Sequence, residues 1–164
     1  MQFEKMSVEH QKSIVKIYNY YVENTTAAFA ASTVSEKFFT MLTEKVKGYP
    51  AYAIINSETN EVVGFCCLSA YNLFSTFKET AVITCFISQD YVGKGIGGKC
   101  LERLETDAMQ MGIKHIIAEI SSENQQSLNF HTKNGFKTCG VLKNIGNKFD
   151  RKFDVIYMQK DLSY

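Results

Sequence analysis

The sequence predicts an α/β layered domain with a mixed central sheet of about seven strands flanked by four helices. Seven short segments are rich in β-branched and apolar residues, and four longer segments carry apolar residues at helical spacing. Their order is β-α-α-β-β-β-α-β-α-β-β. Because strands and helices do not alternate regularly, this order favours a mixed sheet over a uniform βα wind. The chain shows no repeat or linker, so we expect one domain spanning 1–164.

The N-terminal third predicts one strand and two helices. Residues 2–6 alternate weakly between apolar and polar and form the first strand. Ser7 is the predicted N-cap of a helix that ends at 24–26. Ser35 is the predicted cap of a second helix, which Gly48 stops.

The middle of the chain predicts three strands. Residues 51–55 and 62–69 form two of them, joined by the polar turn 57–60. Residues 80–87 are β-branched and nearly uncharged. That composition predicts a central strand that is buried on both faces.

The C-terminal half predicts two helices and three strands. The first helix follows a glycine cluster, and Gly112 ends it. Ser122 and Gln125 have the spacing of a capping box at the start of the second helix. The predicted ranges are 96–111 and 124–133 for the helices, and 113–120, 136–142 and 153–159 for the strands.

Charge and hydropathy exclude two classes of partner. The formal net charge of +1 gives no basic field for holding nucleic acid. No segment approaches the roughly 18 consecutive apolar residues of a membrane helix. The first residues also lack the pattern of a secretory signal. We therefore expect a cytoplasmic protein without a nucleic-acid or membrane partner.

The five cysteines predict free thiols and no metal site. They are odd in number, lie in apolar surroundings and form no CxxC pair. Small buried thiols of this kind are typical of proteins in a reducing compartment. The residues are Cys66, Cys67, Cys85, Cys100 and Cys139.

The segment most informative about function is a glycine-rich turn between a strand and a helix. Gly93, Gly95, Gly97 and Gly98 lie within six residues, after the predicted strand 80–87. Glycines let the backbone turn sharply and approach a ligand closely. The helix that follows presents unpaired N–H groups and the positive end of its dipole, which suits a pyrophosphate.

The residues of this turn admit three interpretations. A Walker A loop requires GxxxxGK[ST], which the chain does not contain. A Rossmann site is not supported, because the acidic residue expected some twenty positions on lies in no clear βαβ repeat. A strand-to-helix turn without a ligand remains open.

Two motifs in order resemble those of the GNAT acetyltransferases. The run 93–97, Gly-Lys-Gly-Ile-Gly, resembles their acyl-CoA pyrophosphate loop. Residues 124–136 resemble their second signature, N-x-x-S-x-x-x-H/Y-x-x-x-G-F. Three further stretches, 17–26, 146–149 and 154–162, resemble the phosphinothricin and methionine sulfoximine N-acetyltransferase branch. The resemblance covers nearly the whole chain, so it implies the GNAT fold.

This resemblance implies acetyl-CoA as co-substrate and assigns residues to it. A splayed strand would offer backbone groups to the pantetheine arm, and the glycine-rich loop would hold the pyrophosphate through its N–H groups. Asn124 would contact the pantetheine, while capping its helix is an alternative or additional role. Ser127 and Lys133 would lie further along the cofactor. The strand residues are Cys85, Phe86 and Ile87, and the loop residues are Gly93, Lys94, Gly95, Ile96, Gly97 and Gly98.

The resemblance also places a proton donor and leaves the base open. His131 matches a position near the departing thiolate, where an imidazole could protonate the CoA sulfur. Packing near the core is its alternative role. The branch carries a glutamate four positions before the equivalent of Phe86, but Val82 stands here. Glu119 is the candidate substitute, since the spacing of Glu79 points to the other strand face. A glutamate in water or in an ion pair is the alternative for Glu119.

Four residues are candidates for acceptor binding, and several of their positions depart from the branch. Phe29 matches an aromatic, but Ala30 follows where the branch has a polar or acidic residue. Asn72 stands where an arginine often contacts the substrate carboxylate. Tyr71 and Phe74 either line the pocket or pack in a loop. These departures, with Val92 at the start of the loop motif, favour an acceptor other than phosphinothricin.

The function predicted from these residues is acetyl transfer to the amine of a small molecule, an amino-acid analogue. One alternative is transfer to a protein lysine or N-terminus. Another is an acyl-CoA-binding relative with little turnover, which Val82 keeps open. The branch resemblance further implies a homodimer.

Overall fold

The computed structural model describes residues 1–162, so the last two positions of the predicted domain lie outside the described part. Seven strands form one sheet in the order β1-β2-β3-β4-β5-β7-β6. The predicted element order and the mixed α/β fold are confirmed. The strands are β1 Gln2–Lys5, β2 Ala51–Asn56, β3 Glu61–Ala70, β4 Thr80–Ile87, β5 His115–Ser121, β6 Lys137–Lys148 and β7 Arg151–Asp161, and the helices are α1 Gln11–Asn24, α2 Lys37–Lys45, α3 Ile96–Gln110 and α4 Gln125–Lys133.

The centre of the sheet contains its one parallel pairing among residues 1–162. Every other neighbouring pair of strands is antiparallel. β4 and β5 pair only between Thr80–Val82 and His115–Ile117. Beyond Val82 the two strands separate, and the sheet opens at their carboxyl ends. This opening positions the candidate site.

Both faces of the sheet are covered, and alternation along β3 assigns its side chains to the two layers. Cys66 and Leu68 point into a core shared with α3. Phe65 and Cys67 point into a second core with α1 and α2. β3 is therefore buried on both faces, since side chains alternate along a strand. Its position in mid-sheet explains its apolar sequence.

β4 is less buried than its composition predicted. We expected both faces to be covered, but in this strand only Ala81 is fully buried, and Cys85 is exposed. The physical reason is the departure of β5, which leaves the last residues of β4 without a neighbour on that side. The apolar side chains here line an opening instead of a closed core.

The helix starts differ from the prediction in three places, and one of them is α2, whose N-cap is Glu36 and not Ser35. Ser7 caps a short 3-10 turn, Val8–His10, that leads into α1, and its N–H donates to Nδ1 of His10 at 3.1 Å. The capping box predicted from Ser122 is wrong, because Asn124 is the N-cap of α4. The hydroxyl of Ser122 instead accepts from the N–H of Asp154 in β7 at 3.0 Å.

The strand β6 forms one edge of the sheet and is largely exposed along its length. Several of its apolar side chains, including Leu142 and Ile145, are open to water. Within residues 1–162, no helix has the length and apolar character needed to span a membrane.

Candidate active site

A cleft of about 690 Å³ lies where β4 and β5 separate. Its size is within the range of small-molecule sites. One wall is the end of β4 with the start of α3, and the opposite wall comes from β5 and α4. Among the residues predicted for a site, the lining includes Phe29, Cys85, Phe86, Ile87, Gly93, Gly95, Ile96, Gly97, Gly98, Glu119, Asn124, Ser127 and His131.

The glycine-rich loop has the backbone form of an anion site. Gly93 and Gly95 have φ of 80° and 78°, a region that other residues rarely adopt. Gly95 is the N-cap of α3 and has no side chain to cap the first N–H groups of the helix. These groups and the helix dipole are oriented toward the cleft end, where an anion would be stabilised.

Two residues next to this loop differ in their relation to the cleft. Lys94 does not line it, and its Nζ lies 4.8 Å from the ring centroid of Tyr91. Gly97 does line it and also permits close packing of α3 on α4, because a Cβ at that position would lie 3.3 Å from Cε2 of Phe130. The glycine at 97 thus serves packing as well as access to the cleft.

The end of β4 is held by aromatic residues of α1. The ring of Phe86 packs edge-on against Tyr18 and Tyr21, with centroid distances of 5.2 Å. The Tyr21 hydroxyl donates to the carbonyl oxygen of Ile87 at 2.5 Å. Burial, with smaller effects of Cys85 and Tyr20, raises the pKa of Tyr21 to about 12. Tyr21 therefore keeps its proton and stays a donor at neutral pH.

The N-terminus of α4 brings the second motif into the cleft. Oδ1 of Asn124 accepts from the N–H of Ser127 at 3.2 Å, so Asn124 caps the helix. Both side chains also line the cleft. Lys133, at the other end of α4, is exposed and outside the lining.

The hydrogen bonds of His131 define its tautomer. Its Nδ1 lies 2.8 Å from the carbonyl oxygen of Ser127, and because a carbonyl only accepts, Nδ1 must carry the proton. Burial is the larger influence on the pKa of His131 and lowers it from 6.5, against the raising effect of the Ser127 hydrogen bond. At pH 7 the ring is neutral, with a lone pair on Nε2. The sequence predicted a proton donor here, whereas this state of the ring is suited to accept a proton first.

The two candidate carboxylates occupy different places. Glu119 is an exposed residue of β5 that lines the cleft, paired in register with Tyr157 of β7. Desolvation, and then the neighbouring Glu119 and Tyr71, raise the pKa of Tyr157. Glu79 precedes β4 and forms an ion pair with Lys114 at 2.9 Å. It does not line the cleft, which agrees with its exclusion on strand spacing.

The predicted acceptor residues are divided between the cleft and a loop. Phe29 lines the cleft and stacks on Phe153 of β7, with ring centroids 6.1 Å apart. Tyr71, Asn72 and Phe74 lie in the exposed loop between β3 and β4, outside the lining. Oδ1 of Asn72 accepts from the N–H of Phe74 at 3.0 Å, so it shapes the loop.

Sequence reasoning missed the contribution of α1 and α2 to the cleft. Tyr18 and Phe38 stack with centroids 4.2 Å apart, and both line the cleft with Met41 and Lys45. Their helical spacing suggested core packing only. One feature of the sequence indicates their role in the cleft. Positions 38, 41 and 45 lie on one face of a helix, and that face combines apolar residues with a lysine.

Val82 also lines the cleft, at the position where the resemblance implied a glutamate. It pairs in register with Ser69 of β3. The Ser69 hydroxyl is buried and has no hydrogen-bond partner among the described residues. A polar group thus lies next to the valine.

Comparison with known protein families and curated proteins gives a consistent result. The model of the Acetyltransferase (GNAT) family matches residues 14–136. The chain is 31% identical to the L-amino acid N-acyltransferase MnaT of Escherichia coli, over 92% of this chain and 87% of that protein. It is also 31% identical to the L-methionine sulfoximine/L-methionine sulfone acetyltransferase of Pseudomonas aeruginosa, over 91% of this chain and 87% of that protein.

Solved structures show the same architecture. The phosphinothricin acetyltransferase of Sinorhizobium meliloti in complex with AcCoA superposes with a TM-score of 0.91 at 25% identity, covering 99% of this chain and 88% of that one. The ribosomal-protein-alanine N-acetyltransferase of Brucella melitensis gives 0.90 at 27% identity, covering 99% and 100%. These likenesses extend over the cleft and the elements that form it.

Proposed function

Because this chain belongs to the GNAT family of acetyltransferases, we propose that it transfers an acetyl group from acetyl-CoA to the amine of a small amino-acid analogue. The observation that carries the proposal is the cleft between β4 and β5, which is lined by both motifs at once. The glycine-rich loop supplies an anion site in this cleft, and α4 supplies an imidazole with a free lone pair.

The residues present fit acetyl-CoA. Main-chain N–H groups of 93–98 would bind the pyrophosphate, with Lys94 as a nearby positive charge. The backbone of 85–87 would lie along the pantetheine arm, since β5 has left that side of β4 unpaired. Asn124 and Ser127 would contact the arm from α4, and Lys133 would lie further along the cofactor. When bound, acetyl-CoA supplies an acetyl group activated as a thioester.

The proposed acceptor is an amino-acid analogue with a moderately apolar side chain. Relatives are named for L-methionine sulfoximine and for phosphinothricin. In this chain the acceptor end would be formed by Phe29 and the aromatic residues of α1 and α2. Tyr71, Asn72 and Phe74 lie outside the cleft lining, so they would not contact the acceptor, and no charged clamp stands at position 72. This favours an acceptor held more by shape than by charge.

The proposed transfer removes two protons from nitrogen, of which the first goes to solvent and the second to sulfur. The amine must first lose its ammonium proton, because an amine with a pKa near about 10 is mostly charged at pH 7. Glu119 would take this proton, directly or through water, and release it to solvent before the next cycle. The neutral amine then attacks the thioester carbonyl, forming the N–C bond, and the oxyanion meets a backbone N–H near Ile87.

Collapse of the intermediate breaks the C–S bond and leaves a thiolate. The lone pair on Nε2 of His131 would accept the second proton from nitrogen and pass it to sulfur. His131 ends the cycle neutral, as it began. Nδ1–H remains bonded to Ser127 throughout, which fixes the orientation of the ring.

The test is release of free CoA with a panel of amino-acid analogues and simple amines. We expect release that depends on a particular amine, with an acetylated product of matching mass. Glu119→Gln should lower kcat by about 10²-fold or more. Glu102→Gln on the exposed face of α3 is the matched control and should change nothing. CoA release at the same rate with and without every amine tested would contradict the proposal.

Two alternative functions are each favoured by one observation. Val82, in place of the branch glutamate, favours an acyl-CoA-binding protein with little turnover. Micromolar binding of acetyl-CoA, about −8 kcal/mol, without any acetylated amine would support it. The likeness to a ribosomal-protein-alanine N-acetyltransferase favours a protein lysine or N-terminus as acceptor. Acetylation of a peptide in preference to free amino acids would support that.

The proposed assembly is a homodimer in the cytoplasm. Its support is an exposed apolar surface on the β3–β4 loop and β6, at residues Tyr71, Leu73, Phe74, Phe77, Val141, Leu142 and Ile145. Exposed apolar side chains in such number are typical of surfaces that associate. Leu73→Glu should convert a dimer to a monomer in analytical ultracentrifugation, whereas Met41→Glu on α2 should not. The cytoplasm is favoured by the five free cysteines.

A further inference from the structure

Lys148, at the end of β6, is a buried lysine that the mechanism does not use. It is 5% exposed. Its Nζ donates to two main-chain carbonyl oxygens, that of Thr25 at 2.7 Å and that of Ala28 at 2.8 Å. Burying an ammonium group is unfavourable unless its donors are satisfied. Two short hydrogen bonds to one loop therefore indicate a specific role.

The two carbonyls belong to the loop that follows α1. Thr25 is the C-cap of that helix, so the ammonium lies at the negative end of the helix dipole. Desolvation lowers the pKa of Lys148. The loop and the lysine come from parts of the chain more than a hundred residues apart.

The same loop forms part of the cleft on the acceptor side. Ala27, Ala28 and Phe29 line the cleft, and the ring of Phe29 stacks on Phe153. A second anchor holds the loop to the end of β5, where Oγ1 of Thr26 lies 2.7 Å from the Ser121 hydroxyl. Loop 25–30 is thus held by β5 and β6, while its residues 27–29 line the cleft.

We infer that Lys148 is a positioning residue that holds loop 25–30 as a wall of the acceptor pocket and thereby sets the affinity for the amine. This inference rests on the proposed function. Lys148 does not line the cleft itself, so it acts through the loop. The groups assigned to acetyl-CoA lie on β4, α3 and α4, none of which Lys148 contacts through these two hydrogen bonds. Removal of the Lys148 ammonium group should therefore weaken binding of the amine and leave binding of acetyl-CoA unchanged.

The experiment compares Lys148→Met with Lys143→Met. Both lysines lie on β6, but Lys143 is exposed and pairs with Asp154, away from the loop. For Lys148→Met we expect a tenfold or larger rise in KM for the amine, with the Kd for acetyl-CoA within twofold of the unchanged protein. Lys143→Met should leave both constants unchanged. Lys148→Arg keeps the charge and the donors and should recover part of the lost affinity.

Three outcomes would overturn the inference. An unchanged amine KM in folded Lys148→Met is one, and an equal loss of amine and acetyl-CoA affinity, as a general structural defect produces, is another. If Lys148→Met does not fold, Lys148→Gln takes its place, because it keeps N–H donors but is shorter and uncharged, and it should raise the amine KM severalfold. An unchanged KM in that variant is the third. Failure of the unchanged protein to acetylate any amine would instead refute the proposed function itself.

Discussion

The hydroxyl of Tyr21 and the carbonyl oxygen of Ile87 are joined by a hydrogen bond of 2.5 Å that links α1 to the end of β4. This is the part of β4 that β5 no longer pairs with. The bond therefore substitutes a side chain of a helix for part of the missing support of a strand. It fixes the backbone along which the thioester of acetyl-CoA would lie.

Tyr21→Phe should weaken both the fold and the reaction. Loss of one such bond costs about 1 kcal/mol of unfolding free energy. For a chain of this size that corresponds to a fall of about 2–4 °C in Tm, measured by calorimetry. We also expect a lower kcat, because the end of β4 is less firmly held. Tyr20→Phe, an exposed neighbour, is the control, and equal effects of both variants would refute this role.

The rate of acetyl transfer should fall as the pH is lowered below 6.5. Burial lowers the pKa of His131, so its ring stays neutral in the fold down to a pH below 6.5. Protonation removes the Nε2 lone pair, and activity is lost as pH falls through the pKa of the folded protein. Because the unfolded chain binds the proton of His131 at a higher pH than the folded protein does, the contribution of His131 to the free energy of unfolding is complete above pH 6.5 and declines below it.

The variant His131→Gln provides the control for this pH dependence. It should lower kcat by about 10²-fold or more and remove the acidic limb from a plot of log kcat against pH. An acidic limb that persists unchanged in the variant would show that His131 is not its cause.

Gly98→Ala should affect stability and cofactor binding in opposite directions. Gly98 lies in the first turn of α3 with an ordinary helical φ, and an added Cβ meets no protein atom within 4 Å. Alanine should therefore stabilise the helix by up to about 1 kcal/mol. The same methyl group would project into the cleft and weaken acetyl-CoA binding in calorimetric titration. Unchanged affinity would place the pyrophosphate elsewhere.

Gly146→Ala should destabilise the β6–β7 hairpin. A Cβ at Gly146 would lie 2.2–2.5 Å from the ring of Phe153, well inside contact distance. Relieving this overlap costs about 1–3 kcal/mol and moves the ring on which Phe29 stacks. Urea unfolding should show the loss, and Gly140→Ala on the same strand, where space is open, should not.

Much of the fold could be predicted because its signals are local. Period-two and helical apolar patterns give the element order, and glycines mark the ends of helices. The error at Ser122 arose because two polar residues near α4 both qualify as caps. The bond from the Ser127 N–H to Oδ1 of Asn124 makes Asn124 the cap, while the hydroxyl of Ser122 is taken by the long-range bond to β7.

The exposure of β4 could not be predicted from its own sequence. Its residues are as apolar as those of a closed core, and the opening depends on where β5 stops pairing, which is a property of two segments together. For the same reason the cleft residues of α1 and α2 looked like core. Lys148 was visible only as part of a short motif, since its partners lie on a distant loop.

Only three residue pairs join β4 to β5, so the sheet consists of two halves with a short connection between them. One half contains β1 to β4 and the other contains β5 to β7. A ligand bound in the gap contacts both halves. Binding should therefore reduce their relative motion, also at residues that do not contact the ligand. A cofactor present at a hundredfold excess over its Kd adds about 2.7 kcal/mol to stability. Slower amide hydrogen exchange at residues 83–87 with the cofactor bound than without it would show this effect.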